Sequence, residues 1–240
     1  MSDRWSLRAL IRQRVELRFL VVLLLVAICG WVFLALADEV MEGETHAFDR
    51  AILLALRSPG NPADPLGPGW LEEMARDVTA LGSMVVLCFV TLAVAGYLLL
   101  LGKIRSALVL LGSVTGGIVV SFAAKAGFDR PRPDLVPHGA EVYTASFPSA
   151  HSMLAAATYL TLAVMLSRIQ SSRALKVYVV AVAVLLTIAV GMSRLYLGVH
   201  WPTDVLAGWA AGAGWALVCW MLASQLQRSG AIEAERGPEG

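Results

Sequence analysis

The sequence predicts an all-α membrane protein, a six-helix transmembrane bundle with a helical extracytoplasmic loop between helices 1 and 2. Hydrophobic residues make up 58% of the 240 residues and charged residues only 15%, whereas soluble domains carry about a quarter charged residues. The apolar residues fall in six separate blocks along the chain, which favours one integrated membrane domain. The net charge of +1 indicates neither a nucleic-acid partner nor an acidic disordered chain.

Six stretches without Asp, Glu, Lys or Arg approach the roughly 20 residues that a helix needs to cross the hydrocarbon core. They are residues 19–37, 81–101, 107–124, 153–166, 177–192 and 205–223. The fourth and fifth are short, so we expect flanking polar residues to extend both helices. Buried helices of a soluble protein would need polar faces, which these stretches lack. The first stretch ends in a small-x-small pattern and also fits a signal peptide, although it is long for one.

The distribution of basic residues predicts the orientation of the bundle. Twelve Lys and Arg residues lie in the N-terminus, the 102–106 loop, the 167–176 loop and the C-terminal tail, and seven lie on the other side. By the positive-inside rule, the side with twelve is cytoplasmic. The predicted organisation is a cytoplasmic N-terminus (1–18), a six-span domain (19–227) and a disordered cytoplasmic tail (228–240).

The outer loop, residues 38–80, is predicted to contain two short amphipathic helices. Apolar residues repeat at helical spacing over 48–56 and over 70–81, which is typical of amphipathic helices. Four Pro and three Gly over 58–69 predict a break between them. The helices would lie either in the headgroup layer or against the bundle.

Small residues within the spans indicate packing rather than chemistry. Gly112-x3-Gly116 and Gly208-x3-Gly212 have the spacing that lets two helices approach closely. The three cysteines lie in apolar stretches at no ligand spacing, so they predict neither a disulfide nor a metal site.

Polar residues with catalytic potential gather in two segments, 125–151 and 193–204. By the parity of the spans, both segments lie on the outer side, so they can meet. Lys125, Arg132 and Arg194 supply three cations, and an arginine can fork onto two oxygens of a tetrahedral dianion. A phosphate therefore fits these residues better than a carboxylate does.

The residues around Pro148 predict an anion site at the N-terminus of a helix. With Ser149 as the N-cap, the backbone N–H groups of Ala150 and His151 would point outward. His151 would then lie beside the bound anion, in a position to act as an acid and a base.

His200 and Asp204 predict an oriented nucleophile. The two residues are four apart and share a face if the last helix begins early, and Pro202 fits its first turn. A carboxylate that holds one imidazole nitrogen leaves the other unprotonated and aimed. Phosphoryl transfer requires little beyond such a nucleophile, an acid/base and cations, because its catalysis is mostly positioning and charge stabilisation.

Three parts of this region resemble the signature of the type-2 phosphatidic acid phosphatase superfamily, and together they span residues 125–204. They are Lys125-x6-Arg132-Pro133, Pro148-Ser149-x-His151 and Ser193-Arg194-x5-His200-x3-Asp204. Residues 76–83 are also similar to a stretch common before the second span of bacterial members. The resemblance implies six helices and a site at the outer face of a bacterial-type inner membrane.

The resemblance also implies a role for each residue of the site. His200 would form a phosphohistidine with Asp204 on its other nitrogen, and His151 would protonate the leaving alkoxide and then activate water. The phosphoryl oxygens would be held by Lys125, Arg132, Ser149, Ala150 and Arg194. Family members usually have Gly where this chain has Ala150. A positive φ there would strain Ala by about 1–2 kcal/mol, but we expect an ordinary first-turn residue without strain.

The expected activity is hydrolysis of a lipid phosphate or diphosphate without a cofactor or a metal, since no cluster of carboxylates indicates Mg²⁺. A lipid phosphotransferase using the same intermediate is an alternative, because only the acceptor pocket would differ. A non-catalytic lipid-phosphate binder or an anion transporter is a further alternative, but the spans lack the buried charges and matched helix breaks of transporters. We interpret His46 and His138 as structural, and Asp129, Arg130 and Asp134 as pairing with neighbours.

Overall fold

The computed structural model describes residues 3–135 and 145–228, and the helices within them confirm the predicted all-α bundle. The elements are α1 (Asp3–Glu42), α2 (His46–Ala55), β1 (Arg57–Ser58), β2 (Asn61–Pro65), α3 (Gly69–Ala80), α4 (Met84–Leu100), α5 (Ile104–Ala126), α6 (Ala150–Ile169), α7 (Arg173–Tyr196) and α8 (Pro202–Arg228). The predicted disordered tail beyond residue 228 and His138 lie outside the described residues.

Each predicted span coincides with a helix. Among the described residues, five helices are by themselves long and apolar enough to cross a membrane: α1, α5, α6, α7 and α8. The sixth, α4, has 17 residues and meets this condition only together with α3, from which it is bent by 50°. As expected, polar residues extend the two short stretches, since α6 has 20 residues and α7 has 24.

Helix α6 lies at the centre of the bundle, against α5, α7 and α8, while α1 lies against α8. Two glycines of α8 allow its close approach to α6. A Cβ at Gly208 would lie 2.7 Å from the carbonyl oxygen of Ser149, and one at Gly212 would lie 2.3 Å from that of Met153. The predicted close packing at Gly208-x3-Gly212 is therefore confirmed, and it joins the first turns of the two helices.

In the second pair, Gly112-x3-Gly116, only Gly116 lies in close contact with another helix. A Cβ at Gly116 would lie 2.4 Å from the ring of Trp215, whereas Gly112 has no neighbour within 4 Å of such an atom. Gly116 thus accommodates an α8 side chain, whose indole N–H also donates to the carbonyl oxygen of Ser113 at 2.7 Å. Gly112 takes no part in close packing.

The two short helices predicted in the outer loop are α2 and α3, but α1 continues to Glu42, so the loop begins later than predicted. Helix α2 packs against α8 and α3 packs against α7, which favours packing onto the bundle. Between them the predicted break is an antiparallel hairpin. Its turn contains Gly60, whose φ of 84° is a conformation that glycine adopts readily.

The hairpin is attached to the end of α7. The guanidinium of Arg57 donates to the carbonyl oxygens of Leu195 at 3.2 Å and Tyr196 at 2.7 Å. The Tyr196 hydroxyl donates in turn to the carbonyl oxygen of Leu66 at 2.9 Å. A cation at the C-terminus of a helix also offsets its dipole. The outer loop therefore fixes the last turn of α7, where Arg194 lies.

Candidate active site

The two polar segments meet at one end of the bundle, where the last turns of α5 and α7 converge on the first turns of α6 and α8. The five predicted cationic and histidine side chains interact electrostatically there: Lys125, Arg132, His151, Arg194 and His200. The structure thus brings together residues from all three parts of the sequence pattern.

His200 lies in the turn before α8 and is only 1% exposed. Its Nδ1 lies 3.3 Å from Oδ2 of Asp204, and its Nε2 lies 3.3 Å from Nη1 of Arg132. A guanidinium only donates hydrogen bonds, so Nε2 presents its lone pair and Nδ1 carries the hydrogen. A shared helical face required the last helix to begin before His200, but α8 begins at Pro202, so this condition is not met. The turn before the helix makes the contact instead.

The protonation state of His200 suits a nucleophile. Burial lowers the pKa of His200 to about 4, although the hydrogen bond and charge of Asp204 oppose this change. The imidazole is therefore neutral at pH 7, and its unprotonated nitrogen is available. Burial also lowers the pKa of Arg132, but a guanidinium stays charged near neutral pH.

Asp204 is fully buried, and both of its oxygens have partners. Oδ2 accepts hydrogen bonds from the Ser146 hydroxyl at 2.5 Å and from the backbone N–H of Trp201 at 2.9 Å. Oδ1 accepts from Arg130 at 2.6 Å. Since a buried carboxylate is stable only when paired and hydrogen-bonded, these contacts hold Asp204 in place. Neither Ser146 nor Arg130 is among the predicted site residues. Each contacts Asp204 from a loop more than 50 residues earlier in the sequence, and no local sequence pattern indicates such a contact.

The N-terminus of α6 has the predicted capping geometry. Ser149 is the N-cap with extended backbone (φ −66°, ψ 111°), and its side chain accepts from the backbone N–H of Ser152. Ala150 is the first helical residue, and no described non-glycine residue has a positive φ, so Ala150 carries no backbone strain. The first N–H groups of a helix lack acceptors within it, which leaves those of Ala150 and His151 available to an anion.

Arg194 has an unused donor. Its Nη1 atom donates to the Thr79 hydroxyl at 3.2 Å, whereas its buried Nε atom has no hydrogen-bond partner among the described residues. An unsatisfied buried donor costs about 1–3 kcal/mol, which a phosphoryl oxygen would recover. Thr79 belongs to the 76–83 segment singled out in the sequence.

Two other predicted cations also hold the backbone of the site. Lys125 Nζ donates to the carbonyl oxygen of Ala145 at 2.6 Å, and Arg132 donates to that of Val199 at 3.0 Å. An ammonium has three donors and a guanidinium five, so both can also bind an oxyanion.

The remaining predictions concern residues outside this cluster. The His46 ring packs 5.4 Å from that of Trp201, a structural contact. Within the described parts of the chain, no group of three or more His, Cys, Asp or Glu residues is placed to hold a metal ion.

The fold and the site define a multi-pass membrane protein. At one end of its bundle lie two histidines, a buried carboxylate and Lys and Arg side chains that can bind the oxygens of a phosphate. The chain belongs to the PAP2 superfamily, whose sequence model matches residues 106–228. It is accordingly a lipid phosphatase that hydrolyses a lipid phosphate.

Two relatives are similar in sequence. Phosphatidylglycerophosphatase B of Bacillus subtilis is 31% identical over 186 residues, which are 75% of this chain and 85% of the relative. An undecaprenyl-diphosphatase of Sulfolobus acidocaldarius is 33% identical over 90 residues, which are 37% of this chain and 36% of the relative.

Two solved structures have a similar fold. The crystal structure of a transmembrane PAP2-type phosphatidylglycerolphosphate phosphatase from Bacillus subtilis has a TM-score of 0.77 and 27% identity, with 85% of this chain and 98% of that one covered. The crystal structure of LpxE from Aquifex aeolicus has a TM-score of 0.51 and 22% identity, with 74% and 95% covered. The latter similarity concerns the fold alone.

Proposed function

We propose that this chain hydrolyses a phosphate monoester or diphosphate of a membrane lipid through a phosphohistidine formed on His200. The placement of the His200 ring carries this proposal. One ring nitrogen faces the Asp204 carboxylate and the other faces the Arg132 guanidinium, each at 3.3 Å. A phosphoryl group bound to Arg132 would therefore lie next to the nitrogen that carries the lone pair.

In the first half-reaction, Nε2 of His200 attacks phosphorus while the bond between phosphorus and the lipid oxygen breaks. His151 donates a proton to the leaving oxygen, and Asp204 stabilises the positive charge that develops on His200. The equatorial oxygens are bound by Lys125, Arg132 and Arg194, by the Ser149 hydroxyl and by the N–H group of Ala150. Such preorganised donors are the main source of catalysis in phosphoryl transfer.

In the second half-reaction, the now neutral His151 removes a proton from water, whose oxygen attacks the phosphohistidine. The bond between phosphorus and Nε2 breaks, and inorganic phosphate leaves. His200 is then neutral again and His151 is protonated, as at the start of the cycle. His151 thus acts first as an acid and then as a base.

The reaction as proposed uses no metal ion, since the cationic side chains meet the charge of the phosphoryl group. A purified, detergent-solubilised chain should release phosphate from one or more of phosphatidylglycerol phosphate, phosphatidic acid, polyprenyl diphosphate and a lipid A phosphate. We expect this activity to persist in a chelator and to be inhibited by vanadate.

The decisive measurement is covalent labelling with a ³²P-labelled substrate. We expect acid-labile labelling of the wild type and of a His46→Gln control, but none of His200→Ala. Loss of activity in a chelator together with an active His200→Ala protein would contradict the mechanism. Adding a second lipid as acceptor separates hydrolysis from transfer, because a phosphotransferase would make a phosphorylated acceptor in place of inorganic phosphate.

We also propose that the site faces the extracytoplasmic side of a bacterial-type inner membrane, with both termini in the cytoplasm. The excess of basic residues on the opposite side supports this orientation. In a variant with its three native cysteines replaced, Arg76→Cys should react with a membrane-impermeant maleimide in intact cells. Arg173→Cys should react only after lysis, and the reverse result would overturn the orientation.

A further inference from the structure

A buried ion network connects the outer-loop helix α2 to Asp204. Arg130 lies between two carboxylates, 2.6 Å from Oδ1 of Asp204 and 2.6 Å from Oδ2 of Asp49. Both carboxylates are 0% exposed, and the Arg130 side chain is 11% exposed. Asp49 lies in α2, before the region that the family's sequence model matches.

The network also fixes the start of α8. Asp49 accepts hydrogen bonds from the backbone N–H and the hydroxyl of Thr203, at 3.0 Å and 2.7 Å, and an acid at a helix N-terminus is stabilising. Arg130 additionally donates to the hydroxyls of Thr203 at 2.8 Å and Thr45 at 3.1 Å. The contacts to Thr203 and Asp204 thus act on the first turn of α8, next to His200, and the contact to Thr45 attaches the network to the start of α2.

Arg130 compensates one of the two buried carboxylates of the network. Two carboxylates and one guanidinium sum to one negative charge, and only the Oδ2 side of Asp204 faces His200. Without Arg130, no positive charge would lie between the two buried carboxylates, and the electrostatic potential at His200 would become more negative. Buried charges are screened weakly, so this change would be felt at the ring.

We propose that Asp49 and Arg130 are positioning residues for the phosphohydrolase reaction, which fix the orientation and charge of Asp204 and thereby those of His200. This inference depends on the proposed function, because it assigns Asp204 the task of orienting the nucleophile. Neither residue touches the reacting atoms.

The test compares the pH dependence of kcat/KM in variants that change the charge of the network. The acid limb is the pH at which kcat/KM falls to half its maximum as the solution is made more acidic. Arg130→Gln raises the limb by about one pH unit, the size expected for a charge a few Å away, and lowers kcat on the order of 10- to 100-fold. Arg130→Lys keeps the charge and the wild-type limb. Asp49→Asn with Arg130→Gln restores one negative charge, so its limb returns toward the wild type. The control is Asp129→Asn, an exposed neighbour of Arg130, which leaves the limb unchanged.

Other charged and titratable groups near His200 are the same in all these variants, so differences between profiles report the network alone. They are Asp204, Arg194, His151, Arg132 and Lys125. The substrate's own ionisation is common to all profiles as well.

An unchanged limb in Arg130→Gln, or a limb in Arg130→Lys raised as far as in Arg130→Gln, would overturn the inference. Should Arg130→Gln not fold, Asp49→Asn takes its place: it removes one carboxylate and keeps Arg130, so the acid limb should move to lower pH, and an unchanged limb would overturn the inference. An inactive wild type or an active His200→Ala protein would instead contradict the proposed function.

Discussion

The backbone N–H of Ser149 donates to the carbonyl oxygen of Asp204 at 3.0 Å. This hydrogen bond joins the N-cap of α6 to the first turn of α8, and the closely packed Gly208 lies one turn further along. This hydrogen bond therefore holds His151, in the first turn of α6, near His200, in the turn before α8. The distance between the proposed acid/base and the proposed nucleophile depends on how closely α6 and α8 pack.

Gly212→Ala should therefore destabilise the bundle and lower its activity. The new methyl group would lie 2.3 Å from the carbonyl oxygen of Met153, so the two helices must move apart, at a cost of about 1–3 kcal/mol. We expect a lower melting temperature in detergent and a lower kcat.

The matched control for this substitution is Gly112→Ala, since Gly112 has no neighbour within 4 Å of an added Cβ. It should leave kcat unchanged and raise the helix stability by up to about 1 kcal/mol. Equal destabilisation by both substitutions would show that the contact with α6 is not the cause.

The sequence predicted the helices well because membrane spans need long charge-free runs, and those runs are local features of the chain. It also placed Ser149 at a helix N-cap, because capping is local too. It did not predict that α1 continues to Glu42 or that residues 57–65 form a hairpin. These features depend on packing against α7 and α8, which no local pattern encodes.

The network around Asp204 was missed for the same reason. Arg130 and Asp49 are 81 residues apart, and each looks like an ordinary loop or surface residue in the sequence. The prediction that Arg130 pairs with neighbours named the right kind of interaction but not the partners. Ser146 gave no signal, since a serine in a loop is common.

Arg194→Lys should lower kcat/KM strongly, although it keeps the positive charge. The Arg194 guanidinium can donate to Thr79 through Nη1 and to an oxyanion through its buried Nε at the same time, whereas an ammonium is a point charge without two donors in this fixed geometry. Loss of one charge-assisted hydrogen bond costs about 1.5–3 kcal/mol, or roughly 10- to 100-fold in kcat/KM. Arg76→Lys is the control, because that side chain is 64% exposed in α3. Steady-state kinetics of both variants check this, and equal effects would contradict a special role for Arg194.

Ala150→Pro tests whether the N-terminus of α6 binds phosphate through its backbone. Proline is tolerated at the first helical position, and the extended backbone of Ser149 suits a residue before proline. The substitution therefore removes one N–H group and keeps the helix. We expect the Ki for vanadate to rise about 10-fold or more, as for a hydrogen bond to a charged group. Arg173→Pro makes the same change at the start of α7, after Ser172 (φ −72°, ψ 128°), and should leave Ki unchanged. An unaltered Ki in Ala150→Pro would exclude this N–H group as a ligand.

The pH dependence of kcat/KM tests the state of His200. Burial lowers the pKa of His200 to about 4, and only the neutral imidazole has a lone pair for phosphorus. Activity should therefore be lost on the acid side only as the pH falls through about 4, whereas an unperturbed histidine would lose it near 6.5. The second ionisation of a phosphate monoester near pH 6 must be measured by ³¹P NMR, and its effect on the pH profile must be divided out.

Asp204→Asn should lower kcat by about 10⁴-fold, by analogy with the carboxylate of a catalytic triad, because the imidazole loses its orienting partner. That variant also loses the negative charge that raises the pKa of His200, so its acid limb should move to still lower pH. A corrected limb between pH 6 and 7 in the wild type would show that His200 is not the buried neutral nucleophile.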